Sequence, residues 1–253
     1  MTKYRQLKIF FRILGLCSLL SVLCPVLPGS PEAAQPVNKK FVYYIYWSGI
    51  RAGKAVLEYK STSEGTTIST QVTSAALISL FYKVNDFAQS AIEPDGYPGS
   101  FILKVREGFH RRNKATYFES KSIGRPQKVI FHNILDGERV EYYLDKPAYD
   151  PLSAFYAMTK MPLEVGRSEY IDIFDNKKLW KTEVQVLRRE RVRVLAGEFD
   201  TIVIRPILKS EGIFLKTGDI YIWVTDDDRR FPVLLKSKVR VGHFTAVLAE
   251  GDY

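Results

Sequence analysis

From Phe41 onward, apolar and polar residues alternate at every second position over short stretches, broken by Gly-, Pro- and Asp-bearing turns. That period belongs to strands rather than helices. Phe41–Trp47, Ala55–Ser61 and Thr66–Ala75, joined across Ser48–Gly53 and Ser63–Gly65, read as an antiparallel meander. Further strands are predicted at Val84–Ile92, Phe101–Glu107, Ala115–Ser120, Lys128–His132, Arg139–Leu144, Glu169–Phe174, Trp180–Arg188, Arg191–Leu195, Phe199–Leu208, Asp219–Thr225, Pro232–Val241 and His243–Glu250. In Pro232–Val241 one face is apolar and the other largely basic, so it covers a core and wets its back. Phe41–Trp47 is apolar or aromatic on both faces, so it is sheltered on both sides.

One helix is predicted, near 151–160. Asp150 can cap it, Pro151 suits its first position, and Leu152, Phe155, Tyr156 and Thr159 share a face. Ala76–Tyr82 is apolar and fits either one helical turn or a strand crossing. More than ten short strands need closure, sandwiching or curvature to manage their edges. The predicted fold is mainly all-β: a strongly curved antiparallel sheet, half-barrel or barrel, with one short helix. Fifteen Tyr and 15 Phe suit such a half-buried pleated surface.

Residues 1–34 have a different pattern. Lys3, Arg5, Lys8 and Arg12 precede an apolar run from Ile13 to Leu23, and Pro25, Pro28, Gly29 and Pro31 lead to Ala33-Ala34. That order is the layout of a cleaved secretory signal, with Ala34 or Gly29 as the last residue removed. A membrane anchor is the alternative, but it would need about 20 apolar residues. Residues 35–253 are then one exported, periplasmic domain, not integral to the membrane after cleavage. Both cysteines, Cys17 and Cys24, fall in the leader, so the domain has no disulfide, thiolate metal site or Cys nucleophile.

The whole chain carries a formal charge of +9, and the domain keeps 33 Lys and Arg against 27 Asp and Glu. The two signs are mixed, so nucleic acid is not implied as a partner. Two basic clusters stand out: Arg111, Arg112 and Lys114 in an expected turn, and Arg188 and Arg189 with Arg191 and Arg193 flanking another. They are candidates for docking anionic envelope material or, more plainly, solvated hairpin tips. His110, His132 and His243 lack ligand spacing, so no metal is expected. Ser153 is not in a Gly-x-Ser-x-Gly turn and has no base beside it, so no catalytic residue and no cofactor are expected. Phe41, Tyr43, Trp47, Phe155, Tyr156, Trp180 and Trp223 could line a ligand cavity in a curved sheet, or simply pack its core.

The C-terminal half carries a run of motifs: Asp150-Pro151-Leu152-Ser153-Ala154-Phe155-Tyr156, Pro162-Leu163-Glu164-Val165-Gly166, Ala196-Gly197-Glu198-Phe199-Asp200 and Trp223-Val224-Thr225-Asp226-Asp227-Asp228-Arg229-Arg230-Phe231-Pro232-Val233. With Tyr46-Trp47-Ser48-Gly49-Ile50-Arg51-Ala52-Gly53, they make the chain resemble the bacterial exported family catalogued as domain of unknown function 3108, over roughly residues 40–250. The resemblance implies an address and an architecture, not a reaction. A strand with Trp, an acidic turn, Pro and a further strand is also distantly similar to the LolA/LolB periplasmic lipoprotein carriers, which have several helices where this chain has one. The expected function is non-enzymatic binding or carriage of an apolar or amphiphilic envelope component, a lipid or lipoprotein. The alternative is a scaffold for an envelope protein partner, with a filled core and no small ligand.

Overall fold

The structure, a computed structural model, describes residues 37–119, 126–207, 219–238 and 242–253. The leader, Ser120, Leu208 and Val239–Val241 lie outside the described residues. Gln35–Tyr253 forms one compact unit. Its strands are β1 (Val37–Trp47), β2 (Ile50–Thr62), β3 (Gly65–Ser74), β4 (Asn85–Ile92), β5 (Pro98–Glu107), β6 (His110–Phe118), β7 (Gln127–Asn133), β8 (Glu138–Leu144), β9 (Ser168–Asp175), β10 (Lys178–Val194), β11 (Gly197–Ile207), β12 (Ile220–Thr225), β13 (Pro232–Lys238) and β14 (His243–Gly251). Among the described residues two helices interrupt them, α1 (Ala76–Ser79) and α2 (Pro151–Thr159). Ala76–Tyr82 therefore resolves to a single helical turn.

All strands form one antiparallel sheet in the order β8-β7-β6-β5-β4-β3-β2-β1-β14-β13-β12-β11-β10-β9. The first and last strands pair at its centre, and β8 and β9 are its edges, so the ladder stays open at one seam. Side chains and one stretch of backbone fill that seam. Tyr149 bridges Ile173 in parallel: its amide donates to the Asp172 carbonyl (2.9 Å), and the Phe174 amide donates to the Tyr149 carbonyl (2.7 Å). The buried Phe174 ring meets Phe118 edge-on at 6.3 Å and Tyr142 at 5.1 Å. Beyond it, Lys177 Nζ donates to Glu138 (2.6 Å) and Lys114 Nζ to Asn176 Oδ1 (2.6 Å). The seam is thus bridged from β9 to β6 and β8 without a strand ladder.

Helix α2 begins as its sequence requires. Asp150 Oδ1 accepts from the amides of Leu152 (2.8 Å) and Ser153 (3.1 Å), while Ser153 Oγ accepts from the Asp150 amide (2.9 Å). This is a capping box with Pro at the first helical position. The helix touches β9 on one side and β3 and β4 on the other, strands far apart in the sheet order. It therefore lies across the concave side. Met158 and Ala154 join Ile171, Val184, Ile202 and Ile222 in one core, Leu152 packs on a second with Phe101 and Val129, and Tyr156 meets Tyr59 at 6.4 Å. The expected packing face of Leu152, Phe155 and Tyr156 is divided among these neighbours, because the helix is surrounded. Its fully buried residues are Ser153, Ala154, Met158 and Thr159.

Both basic clusters sit in strands rather than in turns. His110–Lys114 opens β6, and the turn before it is Gly108-Phe109; Gly108 takes a φ of 54°, and the Tyr82 ring fills the space a side chain there would need. Arg188, Arg189, Arg191 and Arg193 all belong to the 17-residue β10, which runs through the expected break with a bulge between Val186 and Arg188. The continuous strand places each arginine beside a carboxylate of its own strand, of β11 or of the β12–β13 turn.

Candidate functional site

Successive turns of an antiparallel meander alternate between two ends, and here the ends differ. The β1–β2, β3–β4, β5–β6, β7–β8, β9–β10 and β13–β14 connections share one end. Most of the exposed large apolar side chains among the described residues gather there: Trp47 and Ile50, Leu77, Leu80, Phe81 and Tyr82, Phe109, Ile134 and Leu135, and Phe244. Phe81 is 86% exposed and Phe109 104%.

The turns that carry these side chains are tied to one another and to their neighbouring strands along an arc. Trp47 stacks on Phe244 at 6.4 Å, and the Ser48 amide donates to the His243 carbonyl (2.9 Å). The Ala75 amide donates to the Ala52 carbonyl (2.8 Å), joining the loop of α1 to the β1–β2 hairpin. The Gly108 amide donates to the Lys83 carbonyl (2.8 Å), and the Ile134 amide to the Asn113 carbonyl (2.8 Å). Backbone bonds thus fix the arc, while the apolar side chains on it point to solvent.

The opposite end exposes fewer, among them Val37, Leu195 and Tyr253. There the β4–β5 turn, with Glu93 and Asp95, and Glu119 and Gln127 border a cleft of about 280 Å³ that also touches Tyr97 and Phe118. Asp226 pairs with Arg189 (2.7 Å), and Asp227 accepts from the Thr225 hydroxyl (2.7 Å), so protein donors occupy both carboxylates.

The candidate ligand-lining residues divide among several places. Phe41 is buried and stacked on Phe231 at 5.2 Å, and the buried Tyr43 donates its hydroxyl to the Pro232 carbonyl (2.8 Å). Both belong to one core. Phe155 packs against the α2 core and Tyr156 against Tyr59. Trp180 lies on β10 with Lys178 Nζ 5.6 Å from its ring, and its indole nitrogen is buried without an acceptor among the described residues. Trp223 alternates with Ile222 and Val224, so it points to the other face, where it packs with Val203 and Leu234 and donates to Glu190. Arg188 and the Trp223 indole hold the Glu190 carboxyl below its usual range. Of the seven, only Trp47 reaches the exposed arc.

The candidate anionic-docking residues also separate. Arg188 pairs with Glu190 (2.8 Å), as Arg189 does with Asp226, so their charges are met within the protein. Lys114 is half-buried near Phe131; burial, with Arg112 beside it, pulls its ammonium below the usual value. Arg112 donates to His110 Nε2 (2.7 Å). Arg111 remains at the arc, donating to the carbonyls of Gly108 (2.6 Å) and His110 (2.8 Å). Ser153 is fully buried at the helix cap, donating to Asp150. The arc itself escaped the sequence reading. Its signal was apolar residues in turns, Phe109 after Gly108 and Ile134-Leu135 before Asp136-Gly137, where polar ones are the rule.

Comparison with known proteins places this geometry. A family model described as Protein of unknown function (DUF3108) matches residues 42–249. A β-barrel-like protein of domain of unknown function DUF1849 from Brucella abortus is similar in fold, with a TM-score of 0.59 at 12% identity over 85% of this chain and 97% of that one. A candidate lipoprotein from Parabacteroides distasonis aligns with a TM-score of 0.30 at 14% identity, over 85% of this chain and 95% of that one. Among curated proteins, none matches the chain.

Proposed function

We propose that this chain, which belongs to the DUF3108 family, is an exported, non-enzymatic envelope module that binds an apolar or amphiphilic component through its apolar rim. The observation that carries this reading is the asymmetry of the two ends: among the described residues most exposed large apolar side chains, and every exposed Phe, collect at one, while the other exposes few and borders a cleft with Glu93, Asp95 and Glu119. Large contiguous apolar patches on a folded protein mark binding surfaces. The interior suits a scaffold, since α2 crosses the concave side and ties two cores together. Among the described residues no helix is long and apolar enough to cross a membrane.

The same interior favours a second reading, in which an envelope protein rather than a small amphiphile occupies the rim. Native mass spectrometry of protein purified from its own host envelope tests the site. Wild type is expected to carry associated material, lipid or protein. The variant Leu80→Ser/Phe81→Ser/Phe109→Ser, exchanged only at exposed positions, is expected to lose it while melting like wild type. Undiminished association in that variant would place the binding surface elsewhere.

A further inference from the structure

We infer that the rim docks onto a bilayer surface bearing anionic headgroups, an inference that rests on the rim being the binding surface. Among the described residues the most exposed large apolar side chains are Leu80, Phe81 and Phe109, and they sit in the connections after α1 and between β5 and β6. Tips carrying Leu and Phe suit insertion into the headgroup boundary, where apolar side chains bury by about 5–10 Å. The charge beside them has the matching sign. Lys83 follows the α1 loop directly, and Arg111 is held next to Phe109 by its bonds to the Gly108 and His110 carbonyls. Arg51, on the neighbouring hairpin, stacks on Tyr44 at 3.7 Å.

None of Arg51, Lys83 and Arg111 has a carboxylate within ion-pair distance among the described residues, whereas the four arginines of β10 each do. Cations not met by a carboxylate among the described residues therefore stand beside the apolar tips. Acids nearby are engaged elsewhere. Asp86 accepts from the Arg106 amide (2.8 Å), and Glu107 is half-buried with its carboxyl raised by burial and by Asp86. Asp136 accepts from Asn133 (2.6 Å) and from the Glu138 amide (3.0 Å). Basic residues near a membrane are drawn to anionic lipid at roughly 1 kcal/mol each. This combination of tips and cations favours the lipid surface.

Vesicle co-sedimentation tests the inference with phosphatidylglycerol–phosphatidylcholine vesicles and pure phosphatidylcholine vesicles. Wild type is expected to bind the mixed vesicles, and to release them at about 1 M salt, where the screening length falls to about 3 Å. Phe81→Ser and Phe109→Ser should each weaken binding roughly tenfold, the loss expected from one large apolar side chain. Lys83→Glu/Arg111→Glu should abolish the preference for phosphatidylglycerol. Circular dichroism and melting of every variant must match wild type, which these exposed positions allow.

Absence of wild-type binding, equal binding to both vesicle types, or undiminished binding by the Phe variants overturns the inference. If wild type ignores vesicles while a host protein copurifies and is lost with the rim variant, the rim stands as the binding surface and the bilayer falls. If nothing copurifies either, both fall.

Discussion

Replacing Phe174 by alanine is expected to cost about 3–5 kcal/mol, the usual range for emptying a buried aromatic site. The ring is 2% exposed and reaches from edge strand β9 to Phe118 of β6 and Tyr142 of β8. No strand ladder closes the sheet between β8 and β9, so this ring and the Tyr149 bridge carry much of the closure. Denaturant melts of Phe174→Ala and Phe174→Leu measure the effect. The leucine variant should recover part of the loss by filling volume. A cost below about 1 kcal/mol for alanine would mean that the seam opens freely and that the barrel-like closure contributes little.

Asp150→Ala is expected to cost about 3 kcal/mol. Losing the helix cap accounts for about 1–2 kcal/mol. The Ser90 hydroxyl, which donates to Asp150 Oδ2 at 2.6 Å in a fully buried site, loses its acceptor, and an orphaned buried group costs about 1–3 kcal/mol. Asp150→Asn keeps an oxygen for the helix amides and should cost less. Burial raises the Asp150 carboxyl above its usual value, against the hydrogen bonds from Ser90, Ser153 and Leu152. The folded state therefore binds this proton more tightly than the unfolded state does. Its contribution to stability is fullest below the ordinary carboxylate range, and it declines as pH rises through the raised value. Melts across the acid range should show that decline in wild type and not in Asp150→Asn. Parallel curves for the two would show that Asp150 titrates with its ordinary value.

Local rules made much of this fold legible. The alternation in Phe41–Trp47 and Pro232–Val241 identified strands, and Asp150-Pro151 identified the helix start, because pleat and cap are written in adjacent residues. The pairing of β1 with β14 was not legible, since it joins residues about 200 positions apart with no local signature. The surroundings of α2 were hidden for the same reason: only the sheet order shows that β9 and β4 flank it. The β10 arginines looked like a patch because their partners, Asp200, Glu198 and Asp226, come later in the chain. The rim was obscured differently. Leu80-Phe81-Tyr82 is apolar whether buried or exposed, and apolarity alone does not say which.

The central claim is that amphiphile meets the rim and not the interior, and the three tryptophans can report on it separately. Trp47 belongs to the rim, Trp180 to the helix side of β10, and Trp223 to the opposite face of the sheet. Single-tryptophan variants, made with phenylalanine at the other two positions, can be titrated with brominated stearic acid and with brominated phosphatidylglycerol vesicles. The account predicts quenching of the Trp47 variant, with the Trp180 and Trp223 variants nearly unchanged. Quenching of Trp180 with Trp47 unaffected would place the ligand inside the barrel and contradict it.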